Sequence, residues 1–137
     1  MGALLAALVM LLAAGCSRSP SEQGLRDVIA EMAAAVEKRD AAAFLSHVAD
    51  DFTRESGGMD QQQLRALLLG LFLRNQRIDV VTSIREIRID GKRATVRLSV
   101  LATGGAGLLP ERGRAWDLTT AWRHDGDWKI FNAQWTE

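Results

Sequence analysis

Asp50, Asp51 and Glu55 crowd one short stretch of this 137-residue chain and are its candidates for acid–base work. A general base needs a carboxyl of tuned pKa beside an apolar slot, with donors aimed at the charge that develops. The local sequence argues against that role. Adjacent residues in extended backbone point opposite ways, so of Asp50 and Asp51 one should face water while the other caps or turns the chain. Glu55 stands just before Gly57-Gly58, a break that places it on a solvated loop. His47 sits one turn beyond Phe44, and His124 falls in a tight turn. Neither has a histidine or cysteine partner at ligand spacing, so no metal is expected. No serine has a nucleophile-elbow context. Gly104-Gly105-Ala106-Gly107 lacks the lysine and the following helix of a phosphate cradle, and reads as a loop. The residues alone therefore assign no catalytic group, no metal and no cofactor.

The elements that must carry these residues are legible from periodicity. Leu25, Val28, Ile29, Met32 and Val36 recur at three- and four-residue steps, which predicts a helix over 22–38. Asp40 caps a short second helix carrying Phe44, Leu45 and Val48, and Asp60 caps a third over 61–75. The centre of that third helix is apolar all round, from Leu67 to Leu73, which predicts burial on more than one side. From Ile78 the period becomes two. Ala94, Val96, Leu98, Val100 and Ala102 alternate with polar residues, and Ile78, Val80, Thr82 and Ile84 do the same. Ile87 and Ile89 then fall out of phase, so one extra residue near Arg85-Glu86 predicts a β-bulge. Asp90-Gly91 supplies a hairpin turn.

For the last hairpin, a three-residue loop His124-Asp125-Gly126 pairs Arg123 with Asp127 and Trp122 with Trp128, with Gly126 left-handed. Trp116 then opposes Gln134, Leu118 opposes Asn132 and Thr120 opposes Ile130. In that register Trp116, Thr120, Asn132 and Gln134 share the inner face with Trp122 and Trp128, and inward polar groups need partners. Phe131, Ala133 and Trp135 fall on the outer face beside Arg97, an apolar patch that suggests a protein contact. Residues 103–113, rich in glycine, read as a long connection.

A formal net charge of +0 argues against a nucleic-acid partner, since phosphate binding needs a concentrated basic surface. The lone cysteine, Cys16, rules out an intramolecular disulfide. It follows an apolar run over 3–14, about as long as a signal-peptide core and too short to span a bilayer. Leu12-Ala13-Ala14-Gly15-Cys16 resembles the lipobox of bacterial lipoproteins. The resemblance implies cleavage after Gly15 and fatty acylation of Cys16, hence a membrane partner through the N-terminal lipid. Ser17 after it resembles the sorting signal for the outer membrane, facing the periplasm. The expected organisation is a signal peptide over 1–15, a lipidated cysteine and flexible tether over 16–22, and one domain over 23–137.

Lys38-Arg39-Asp40, Ala49-Asp50-Asp51-Phe52 and the closing Gly126-Asp127-Trp128-Lys129-Ile130, in this order of helices and strands, resemble the nuclear transport factor 2-like superfamily. The resemblance spans about 25–135. It implies an α+β fold in which N-terminal helices pack into a strongly bent, cone-like antiparallel sheet of four strands. In ketosteroid-isomerase-like members a base follows the Ala-Asp-Asp segment; here that position is Ser56, beside Glu55, and the chain has no tyrosine for the oxyanion. Fold does not fix activity. The expectation is a non-catalytic, lipid-anchored envelope protein that binds a small apolar ligand or another envelope protein, with an isomerase, dehydratase or hydrolase as the alternative. Trp116, Thr120, Asn132, Gln134, Asp51 and Glu55 are the pocket candidates. Arg97, Phe131 and Trp135 are the interface candidates, for a homodimer through the sheet.

Overall fold

The computed structural model describes residues 20–55, 58–105 and 112–136. Cys16 and residues 106–111 lie outside the described residues. Helix α1 spans Glu22–Glu37, α2 Ala41–Leu45 and α3 Gln61–Arg74. Each begins at a side-chain cap. Ser21 Oγ accepts from the Gly24 amide at 3.0 Å and Asp40 Oδ1 from the Ala43 amide at 3.0 Å. Asp60 and Gln63 form a reciprocal capping box. The apolar stripe of α1 buries Leu25, Ile29, Met32 and Ala35.

Six strands form one curved sheet in the order β2-β1-β6-β5-β4-β3. Strands β3 (Arg77–Asp90), β4 (Arg93–Gly105), β5 (Arg112–Asp125) and β6 (Asp127–Thr136) make the expected meander. Two further strands, β1 (Val48–Arg54) and the short β2 (Met59–Asp60), extend it, with β1 parallel to β6. The four-strand expectation missed β1 because Asp50 and Asp51 interrupt its apolar pattern. They stand exposed between buried Ala49 and buried Phe52, where the β1–β6 register slips between Val48 and Thr53.

The inner face of the sheet closes on α1 and α3. Trp122, Leu25 and Val96 are the largest fully buried side chains, and Phe52, Trp128, Ile130 and Leu98 fill the space between. Each such side chain contributes about 1.5–3 kcal/mol on burial. A second cluster of Ala41, Leu68, Phe72 and Ile78 seats α3. Only one stripe of that helix, Leu64, Leu68 and Phe72, is buried, while Leu67, Leu69 and Leu73 are exposed. The expectation of burial on more than one side is corrected: the structure covers only the stripe that meets the sheet and α2.

The predicted bulge in β3 is present. Ile84 faces Leu98 while Glu86 faces Arg97, leaving Arg85 as the extra residue. The Asp90-Gly91 turn is also present, with Gly91 at φ 60°. The last hairpin differs from expectation. Gly126, at φ 76°, makes the reversal almost alone, and the ladder runs Asp125↔Asp127, His124↔Trp128, Trp122↔Ile130. Buried His124 packs edge-on against Trp128, with ring centroids 5.0 Å apart. Beyond Ile130 a second bulge intervenes: Ala121 pairs with Asn132, so Phe131 is the extra residue. Leu118 therefore faces Trp135, and Thr120 faces Ala133. Gly104 and Gly105 belong to β4 rather than to a loop. A Cβ on Gly104 would lie 2.7 Å from Asn75 Oδ1, so a larger residue there would displace the Asn75 side chain at the end of α3.

Trp128 Nε1 donates to the Ser21 carbonyl at 3.2 Å, which fastens the start of α1 to β6.

Candidate functional site

The bulge at Phe131 redistributes the pocket candidates. Odd-numbered residues face inward beyond it, so Ala133 is buried in the core and Trp135 packs against that core. Placing Asn132 and Gln134 inside, and Ala133 and Trp135 outside, is therefore corrected. Gln134 is exposed. Asn132 turns toward β1, where Nδ2 donates to the Glu55 carbonyl at 2.8 Å and the Thr53 carbonyl at 3.1 Å. Thr120 is buried, but both its hydrogen-bonding roles are filled: Oγ1 donates to the Val96 carbonyl at 2.9 Å and accepts from Trp122 Nε1 at 2.7 Å. Trp116 is half-buried and, paired with Val100, keeps the inner phase that was expected.

Neither carboxylate candidate lies inside the sheet. Asp51 is exposed and meets Arg123 through two contacts, Oδ1 to Nη1 at 3.3 Å and Oδ2 to Nη2 at 3.0 Å. The Arg123 hydrogen bond holds the Asp51 carboxyl below its usual range, the opposite of what a resting general base requires. Asp50 is exposed, while Asp51 is engaged by Arg123 and by its own backbone amide. Glu55 is exposed at left-handed φ 53° and its amide donates to the Ala133 carbonyl.

A cleft among the described residues lies on the outer face. It encloses about 280 Å³. By strand alternation its walls are Arg85, Arg97, Asp117, Thr119, Gln134 and Thr136, its floor is the backbone near Leu98, Leu118 and Trp135, and Glu55 stands at one end. The bulge turns both Arg85 and Glu86 to this face. Arg85 Nε donates to Ser99 Oγ at 2.8 Å, and Ser99 Oγ donates to Asp117 Oδ1 at 2.7 Å. Glu86 is held below its usual pKa by Arg88, whose Nε lies 2.6 Å away, and more weakly by Arg97 at 3.5 Å. Along the same face, exposed Val81 lies opposite exposed Leu101 in the ladder. Phe131, an interface candidate, is half-buried under Arg123 and Arg93, at 4.8 and 5.8 Å from its ring. Trp135, the third interface candidate, faces the other way.

Sequence reasoning overlooked Arg54 and Arg85 as site residues. Both follow from phase: Arg85 is the bulge itself, and Arg54 continues the inward phase of Phe52 once β1 is read as a strand.

No family model and no curated protein matches this sequence. Solved structures do match in fold. A conserved protein from Planctomyces limnophilus aligns at TM-score 0.69 and 20% identity, over 82% of this chain and 92% of that one. A protein of unknown function from Pseudomonas putida, described as nuclear transport factor 2-like, aligns at TM-score 0.64 and 17% identity, over 84% of each chain. A hexachlorocyclohexane dehydrochlorinase, LinA-type3, from Novosphingobium barchaimii aligns at TM-score 0.65 and 16% identity, over 83% and 84%. The fold is thus nuclear transport factor 2-like, with helices packed against a curved, unclosed sheet, and proteins of that fold include an enzyme alongside others of unknown function.

Proposed function

We propose that this chain is a lipid-anchored module of the bacterial envelope that binds rather than transforms, and that its docking surface is the outer face of the sheet. One observation carries the reading: the mixed-charge cleft of about 280 Å³ lies on the same exposed face as Val81 and Leu101, which are 63% and 46% exposed. An exposed apolar pair beside polar groups is a feature of protein contacts. The occupant we infer is a second copy. Arg85 and Arg97 lie among Glu86 and Asp117, with which they pair inside the chain, and a twofold axis across this face can exchange those pairs between copies. Acylation at Cys16 would hold the domain at the outer membrane and raise its local concentration there.

An enzymatic reading is less well supported. Asp51 and Glu55, the bases it requires, are exposed, and Asp51 is engaged by Arg123.

Sedimentation velocity on a chain starting at Pro20 tests the docking surface. Reversible dimerisation is expected, and Leu101→Asp with Val81→Asp should abolish it; a monomer at every concentration rejects the assignment. Mass spectrometry of membrane fractions should find a diacylglyceryl group on Cys16, and an unmodified thiol would remove the anchor.

A further inference from the structure

Arg54 Nε is buried and has no hydrogen-bond partner among the described residues. Unpaired buried donors are uncommon in native proteins, and one on a guanidinium calls for a physical account. Its position gives one. Arg54 pairs with Ala133 on β6 and with Met59 on β2, residues of the core and of its margin, so its side chain stands on the inner side of the sheet. The guanidinium lies over the Trp135 ring, 4.0 Å from the centroid. Trp135 covers one face; among the described residues no hydrogen bond engages Nε, and Nη2 makes only a long ion pair. The nearest acid, Glu55, is 3.9 Å away, beyond hydrogen-bond reach.

The backbone around Arg54 is held in place. The Asn132 amide clamps the carbonyls of Thr53 and Glu55 on either side of it, and the Gly58 amide donates to the Arg54 carbonyl at 2.9 Å. Leu118 faces Trp135 across the ladder, and Trp116 stands one inward position further along β5, both half-buried. A cation whose Nε has no partner among the described residues therefore stands against Trp135, which Leu118 faces across the ladder. A guanidinium fork fits a carboxylate through two parallel hydrogen bonds.

We propose that Arg54 is the recognition residue of a ligand site on the inner side of the sheet, and that its ligand is a small organic carboxylate with an apolar body. The carboxylate takes Nε and one terminal nitrogen of Arg54; the apolar body lies against Trp135 and Leu118. This site is on the opposite side of the sheet from the proposed docking face and does not depend on it.

Proton–nitrogen NMR of the full chain in detergent micelles tests the site through the Arg54 Nε–H signal, assigned by its loss in Arg54→Lys. Titration with sodium benzoate should shift that signal saturably, whereas benzamide and matched sodium chloride should leave it in place. Arg54→Lys keeps the charge but loses the fork, and should bind benzoate about tenfold or more weakly, followed at the Trp135 indole N–H. An Arg54 signal unmoved by benzoate, or moved equally by benzamide or chloride, overturns the proposal. So does a lysine variant that binds as tightly as the native chain. None of these outcomes bears on dimerisation through the outer face.

Discussion

Two bulges shape this sheet, at Arg85 in β3 and at Phe131 in β6, and their consequences differ. At Arg85 the strand is an edge with one neighbour, and beyond the bulge only Ile87 and Ile89, half-buried and exposed, change phase. The extra residue goes to the outer face and builds one wall of the cleft. At Phe131 the strand is flanked by β5 and β1, and everything beyond it exchanges faces. Ala133 and Trp135 enter the core margin, Asn132 reaches β1, and Arg54 acquires its aromatic partner. The bulge at the edge decorates a surface; the interior one decides what the inner side of the sheet contains.

Deleting the extra residues separates the two most sharply. Removal of Phe131 should turn Ala133 and Trp135 out of the core and cost more than about 4 kcal/mol in urea unfolding, against about 1–3 kcal/mol for removal of Arg85. Equal losses would erase the distinction. Asn132→Ala should cost about 1–3 kcal/mol in the same assay, because the Thr53 and Glu55 carbonyls lose their donor. A neutral result would mean that β1 is positioned by other contacts.

The smallest effect belongs to Asp51 and Arg123, on the solvated side of the same junction. The Asp51 pKa is depressed below 3.8 in the folded state, so the pair stabilises above the unfolded carboxylate pKa. That contribution fades as pH falls through the lower, folded value. With the carboxylate 63% exposed, Asp51→Asn should cost only a fraction of 1 kcal/mol near about pH 7 and less in high salt. The difference between variant and native chain should shrink as pH falls through the lowered, folded-state pKa. A gap that persists in acid would assign the effect to packing rather than charge.

Much of this was legible in the chain. The caps at Asp40 and Asp60 marked their helices because each carboxylate answers a local amide three residues on. The Arg85 bulge showed in the step from Ile84 to Ile87. The same signal was present at Phe131, where the apolar set changes from Trp128 and Ile130 to Ala133 and Trp135. Read as an uninterrupted strand, the segment puts Ala133 and Trp135 on the outer face; the extra residue turns them inward. Strand β1 was hidden for a different reason: its interruption is stabilised by Arg123, 72 positions away.

The sequence by itself determined the helices, their caps, the turn glycines and the apolar phase of each long strand, because capping, backbone chirality and alternation act over a few residues. Only the tertiary structure decided how β6 meets both β5 and β1, and so which of Asn132, Gln134 and Trp135 faces inward. A side chain's face depends on pairing with strands far away in the chain, and one inserted residue reverses it.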